Sequence, residues 1–412
     1  MDPVSTSDTL IFLAISVPVM IVTAGFRGTF MFYMAVIPFL GFKLPMDLFT
    51  NRMLRSYDQR SGFAQKASVY EYAVVSCIEW GISIADSGGA VTVFFGRQLS
   101  LFLYLYRRYR NGGANLGDIQ YAFIEPEPGV EGVFVNSKHR GDEHDVVLFY
   151  IHGGGPAFAT IHFYLEFLVS LVRSLQLQGF RNPAIFAIQY PLVPHAKFNH
   201  QLDAVVCGWN YVASTFESSA IAIVGDSNGG GLALSLMLHI AHPSPDITEV
   251  PIRRRPTAAV LMSPWTDLYS AKSSSKADYM TPKVMFRHAD RLTAGDRNNV
   301  YMSPALCRSR EWWRRACPEF GMYLSYGEEE MLADDIRRFA DGLCSAGCAA
   351  SAKSEPHHLH SWHIVQFLLA RTPQHRQEGL DDISANLAKM ILWHTATAST
   401  TQTADLDRPL NI

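Results

Sequence analysis

Two regimes of apolar patterning divide this chain. Between Thr9 and Phe42 most positions are apolar and Arg27 carries the only charge. The run Leu10 to Phe26 matches the roughly 17–25 residues that cross a bilayer as a helix. Thr29 to Phe42 is shorter, contains Pro38 and reads as a re-entrant or interfacial piece. A cleaved signal peptide opens with basic residues, but Asp2 and Asp8 stand there instead. Residues 1–43 are therefore expected to form an uncleaved membrane anchor, with a buried helix or a membrane-facing lid as the alternative. Arg27, Lys43, Arg52 and Arg55 all follow the run, which favours a cytosolic main domain by the positive-inside bias.

Residues 44–118 read as a helical, aromatic-rich lead-in, a packed cap whose basic end at Arg107, Arg108 and Arg110 is expected to be solvated. From Ile119 the second regime begins: short apolar runs alternate with amphipathic stretches. Val146 to Ile151, Ala184 to Tyr190, Ala220 to Val224, Ala258 to Met262, Met322 to Ser325 and Ala350 to Lys353 are strand candidates. Phe163 to Leu177 and Leu232 to His242 carry helical periodicity between them. Such alternation predicts an α/β fold with a mostly parallel sheet covered on both faces. Residues 119–395 form this unit, with 269–302 as a cap insertion. The Thr-, Ala-, Ser- and Gln-rich segment 396–412 is expected to be disordered.

Composition narrows the classes. The 412 residues are 48% hydrophobic and 18% charged, with a formal charge of −3. That excludes a disordered chain or coiled coil, and no basic excess exists to neutralise nucleic-acid phosphates. Six cysteines without a C-x-x-C pair give no disulfide framework. Cys344 and Cys348 read as helical neighbours in core or surface positions.

The chemistry sits at strand ends. The run Ile221 to Val224 leads into Gly225-Asp226-Ser227-Asn228-Gly229-Gly230-Gly231 and then a helix. This is G-x-S-x-G in the strand–turn–helix setting that lifts a serine hydroxyl above a sheet. Upstream, Val146 to Ile151 ends in His152-Gly153-Gly154-Gly155. Glycines there let backbone N–H groups face a cavity and hold a developing oxyanion. A phosphate loop is the competing reading, but the P-loop lysine and dinucleotide spacing are both missing.

These motifs resemble the hormone-sensitive-lipase group of α/β-hydrolases, which includes arylacetamide deacetylases and fungal steryl acetyl hydrolases. Tyr190-Pro-Leu-Val-Pro194 is similar to the group's Y-x-L-x-P, and Ser263-Pro-Trp-Thr-Asp-Leu268 to its S-P-W-x-D-L. The resemblance spans about Ile119 to Arg371. The sequence departs from it at Pro156, where an aromatic is usual, and at Asn228, where Ala is commoner. The resemblance implies an α/β-hydrolase fold with a helical cap, and an oxyanion hole from the amides of Gly153, Gly154 and Asn228.

A serine nucleophile needs a base and an orienting carboxylate, following the serine in the order acid, then histidine. Gly327-Glu328-Glu329-Glu330-Met331-Leu332-Ala333-Asp334-Asp335 is similar to the group's G-x-x-[D/E]-x-L-x-D-[D/E], which implies Glu330 as the acid. Composition alone leaves the three glutamates equal, and the others suit an acidic helix start. His357, His358, His360 and His363 invite a metal reading, but no Cys or Asp accompanies them. The group's histidine two residues before an aromatic matches His360 with Trp362, with His358 in reserve. Asp226 reads as structural support beside the nucleophile.

The expected activity is hydrolysis of a small hydrophobic ester through an acyl-enzyme on Ser227, without metal or organic cofactor. A deacetylase of a sterol or secondary-metabolite ester fits the resemblance. Two alternatives stay open: an acyltransferase or cyclase using the same triad, and a non-catalytic receptor such as the plant gibberellin receptors, which have lost the histidine. The N-terminal segment implies contact with membrane lipid. Anchored members of the group imply the endoplasmic reticulum with a luminal domain, against the charge bias.

Overall fold

Short apolar runs separated by helices build one eight-stranded sheet. The computed structural model describes residues 3–84, 91–110, 117–138, 141, 143–251, 254–270 and 277–406. The expected lead-in, the cap insertion and the final segment thus include 85–90 with 111–116, 271–276 and 407–412, which lie outside the described residues. The strands are β1 Ile119–Ile124, β2 Gly132–Ser137, β3 Val146–Ile151, β4 Ala184–Ile188, β5 Ala220–Asp226, β6 Ala258–Met262, β7 Met322–Gly327 and β8 Ala350–Glu355. Their order is β1-β2-β4-β3-β5-β6-β7-β8. β1–β2 and β2–β4 pair antiparallel, and all other neighbours are parallel.

Every residue of β3, β4 and β6 is buried, as a parallel strand with helices on both faces requires. Alternate side chains enter two core layers. Val147, Phe149 and Ile151 face the helices Phe198–Thr215 and Ser227–Ala241. Val146, Leu148 and Tyr150 face Ile161–Leu177 and Pro373–Leu406. β8 closes one edge with an exposed, partly charged sequence, which discourages further strand pairing.

Three sequence expectations change. The β1–β2 hairpin escapes the apolar-run criterion because β1 is half exposed. The helix expected from Leu232 begins at Ser227: its glycines form a real first turn, and Gly229 leaves room for the carbonyls of Ile151 and His152. The last helix continues to Leu406, so 396–406 extend it; no Gly or Pro interrupts the chain between Gly379 and Pro409.

Smaller corrections follow from packing. Arg107 is buried rather than solvated and pairs with Glu166 at 3.0 Å. The helix Ala333–Ser345 stops before Cys348, so the exposed Cys344 and the buried Cys348 are not helical neighbours. At the other end, the helical stretch Thr6–Leu54 is long and apolar enough to cross a membrane, and only 11% of its most apolar window is buried.

Candidate active site

Strand register gathers the candidate residues at one edge of the sheet. Ile151 sits opposite Gly225, Asp226 opposite Met262, Met262 opposite Ser325, and Gly327 opposite Glu355. The loops carrying His152, Ser227, Ser263, Glu330 and His360 therefore emerge side by side at the carboxyl ends of parallel strands, where open α/β sheets bind ligands.

Ser227 turns from β5 into its helix with φ 52°, a left-handed conformation that a serine adopts only under constraint. Its Oγ lies 2.8 Å from His360 Nε2. His360 Nδ1 faces Glu330 Oε1 at 3.4 Å. The second oxygen of Glu330 accepts from Ser263 Oγ at 2.6 Å and from the Gly327 amide at 2.8 Å. Ser263 Oγ also accepts from the Ser361 amide at 2.9 Å, so one hydroxyl ties the acid to the loop of the base.

The electrostatics follow from burial and charge. Burial alone would lower the His360 pKa, but the hydrogen bond and charge of Glu330, with the charges of Asp278 and Asp226, raise it above the usual value. Asp278 is buried and accepts the Met331 amide at 2.7 Å; burial pushes its carboxyl up to about 6, against the opposing charge of His360. Tyr279 donates to the His360 carbonyl at 2.9 Å.

The other expected residues separate clearly. Glu328 is exposed, and Glu329 accepts the Phe63 amide at 3.1 Å; of the three glutamates only Glu330 turns inward. His358 is held by Pro356 O at 2.9 Å and Gln366 Oε1 at 2.6 Å. His363 points to Asp382 at 3.1 Å. Among the described residues no group of three or more His, Cys, Asp or Glu side chains could hold a metal.

The oxyanion loop brings a correction. The Gly153 amide donates to Asp226 Oδ1 at 2.9 Å, so the expected Gly153 donor is already engaged. Gly154 and Gly155 adopt φ 89° and 63°, and neither amide has a protein partner among the described residues. Asn228 turns its side chain toward the Tyr190 hydroxyl at 3.4 Å and Gln201 at 3.5 Å, as the second residue of the nucleophile's helix.

Asp226 thus holds the loop, together with Tyr150 at 2.9 Å and Tyr164 at 2.8 Å. Burial pushes its carboxyl up to about 6, against those three hydrogen bonds and the charge of His360. Nothing local in the sequence marks Tyr150 and Tyr164, which read as core aromatics. The pairing predicts a test: Asp226→Asn replaces an acceptor of three donors with a group that accepts at only one atom. Leaving buried donors unmatched costs about 1–3 kcal/mol each. Thermal unfolding should move to lower temperature, and kcat/KM should fall about 10–100-fold as the loop loosens. Unchanged values for both would remove Asp226 from the loop's support.

A doubly wound sheet with these loops at its carboxyl edge defines a hydrolase of the α/β class. The sequence profile of the alpha/beta hydrolase fold matches residues 148–364, and the chain belongs to that family. It is 24% identical to an acetyl-hydrolase of Streptomyces hygroscopicus, over 52% of this chain and 68% of that protein. It is also 24% identical to a versiconal hemiacetal acetate esterase of Emericella nidulans, over 52% of this chain and 73% of that one. A solved esterase of the bacterial hormone-sensitive lipase family superposes with a TM-score of 0.58 at 21% identity, covering 79% of this chain and 99% of the other. In fold the chain is hormone-sensitive-lipase-like.

Proposed function

We propose that this hydrolase cleaves a short-acyl ester, most simply an acetate, of a hydrophobic alcohol such as a sterol or secondary metabolite. The observation that carries the reading is the 2.8 Å contact between Ser227 Oγ and His360 Nε2, made by a serine at φ 52°. His360 takes the Ser227 proton as the oxygen attacks the ester carbonyl. Glu330 holds Nδ1–H and stabilises the imidazolium. The amides of Gly154, Gly155 and Asn228 receive the oxyanion, with Gly155 replacing Gly153 in the expected set. The imidazolium then protonates the departing alcohol, and water repeats the sequence on the acyl-enzyme to free the acid.

Two supports favour a short acyl group. The similar proteins of Streptomyces hygroscopicus and Emericella nidulans are an acetyl-hydrolase and an acetate esterase. The Tyr279 ring also stands edge-on to the His360 ring, centroids 6.0 Å apart, and narrows the space beside the base. Membrane attachment through the N-terminal segment belongs to the same reading, with the endoplasmic reticulum as the compartment that the resemblance implies. The test is a series of p-nitrophenyl esters of rising chain length. Acetate should give the highest kcat/KM, falling about tenfold or more by the octanoate, since each misfitted methylene is worth about 1–3 kcal/mol. A preference for long chains would overturn the deacetylase while leaving the esterase intact.

A further inference from the structure

The apolar N-terminal segment starts and ends against the same helix. Thr9 Oγ1 lies 3.4 Å from the Tyr70 hydroxyl, and Asn51 Nδ2 donates to the Tyr72 hydroxyl at 2.7 Å. Both ends of the stretch therefore meet the first turn of one helix, Val69–Ile84. The first end is also fixed by charge. Asp8 is fully buried and pairs with Arg110 at 3.0 Å; Arg107 lies 3.9 Å from it and bonds Glu166 of the hydrolase domain.

Between these ends the chain bends sharply at Gly25, whose φ 73° and ψ 168° break the helix Thr6–Pro38 in a region open mainly to glycine. Phe12 and Phe32 lie on opposite sides of the bend. Both pack on Phe94, with ring centroids 5.9 and 5.7 Å away. A straight helix would hold their backbones about 30 Å apart. This segment is folded back on the protein, which is not the shape of a helix carrying the chain across a bilayer.

It is nevertheless uncovered. Of the exposed large hydrophobic side chains among the described residues, most lie between Leu10 and Val69, with Val22 84% and Phe26 76% exposed beside the bend. Arg27, Lys43 and Arg55 are exposed within the same stretch, suited to anionic headgroups. An apolar surface this continuous, with basic residues along it, fits the interfacial region of a bilayer.

The same surface lies one helix away from the chemistry. Val75, Ile78 and Ile82 form a stripe of Val69–Ile84 that packs with Leu359, Tyr279 and Phe158. Leu359 precedes His360, and Tyr279 bonds its carbonyl. On another face of that helix, Trp80 stacks on Phe39 of the apolar segment at 4.7 Å and 15°. Ser227 itself is only 7% exposed, and the helix Val69–Ile84 packs on the residues that flank its base.

We propose that residues 9–54 form a monotopic dock, seated in one leaflet with both ends on the side of the hydrolase domain, and that the ester reaches Ser227 from that leaflet past the helix Val69–Ile84. The delivery half rests on the esterase reading above; the dock does not.

The test uses the full chain with an epitope tag at each end. In sealed membrane vesicles from expressing cells, external protease should treat both tags alike. Purified protein should float with vesicles of phosphatidylcholine and phosphatidylserine. The double variant Val22→Glu/Phe26→Glu, altered at exposed positions, should lose about tenfold or more in flotation. It should keep wild-type hydrolysis of soluble p-nitrophenyl acetate, and lose a similar factor on a sterol acetate embedded in the vesicles. Opposite fates for the two tags would overturn the dock, as would wild type that fails to float because two copies cover each other's apolar face. A variant that floats poorly yet cleaves the embedded ester at the wild-type rate would overturn delivery. Wild type that floats but cleaves neither ester would sink the esterase reading, and delivery with it, leaving the dock standing.

Discussion

His360→Ala is expected to lower kcat/KM by about four to six orders of magnitude, the range seen when a triad member is removed from a serine hydrolase. The size follows from geometry. His360 Nε2 is 2.8 Å from the Ser227 hydroxyl, and no other histidine among the described residues bonds that oxygen. His358 and His363 are engaged with Gln366 and Asp382. His357→Ala and His358→Ala should therefore stay within about tenfold of wild type, since neither exchanges a proton with substrate. Steady-state kinetics on p-nitrophenyl acetate, with and without EDTA, measure both points. Activity abolished by EDTA, or a loss at His357 equal to that at His360, would restore the metal reading.

Glu330→Gln should cost about 10⁴-fold in kcat, because an amide cannot hold the imidazole in the productive tautomer or stabilise its cation. It should also move the pH profile. His360 acts as a base only when neutral, so activity is lost as pH falls through its pKa. That pKa lies above the usual histidine value because the Glu330 hydrogen bond and charge, aided by Asp278 and Asp226, outweigh burial. The acidic limb of wild-type kcat/KM should accordingly lie above the usual value. In the variant the residual activity should have its limb at lower pH, since burial then opposes the charge with less compensation. A limb that stays in place would assign the titration to another group.

Much of this arrangement could be read from the chain because its signals are local. Buried parallel strands leave unbroken apolar runs, so β3 to β7 stood out. Gly225 to Gly231 and His152 to Gly155 are each short consecutive runs at a strand end, and their order along the chain carries the fold. The supporting contacts are different. Asp226 reaches Tyr150 and Tyr164 across many intervening residues, and Ser263 reaches both Glu330 and Ser361 from a separate loop. No periodicity encodes such meetings. For the same reason Gly153 looked like a free donor: only the fold brings the Asp226 carboxylate to its amide. The return of Asn51 to the helix that also meets Thr9 is equally invisible in a hydropathy pattern.

A covalent intermediate on Ser227 can be trapped with a fluorophosphonate and located by mass spectrometry of the treated protein. Wild type should gain one adduct on the peptide containing Ser227, and Ser227→Ala should gain none while losing ester hydrolysis. Labelling that persists in Ser227→Ala, or brisk hydrolysis by that variant, would contradict the account and place the nucleophile elsewhere.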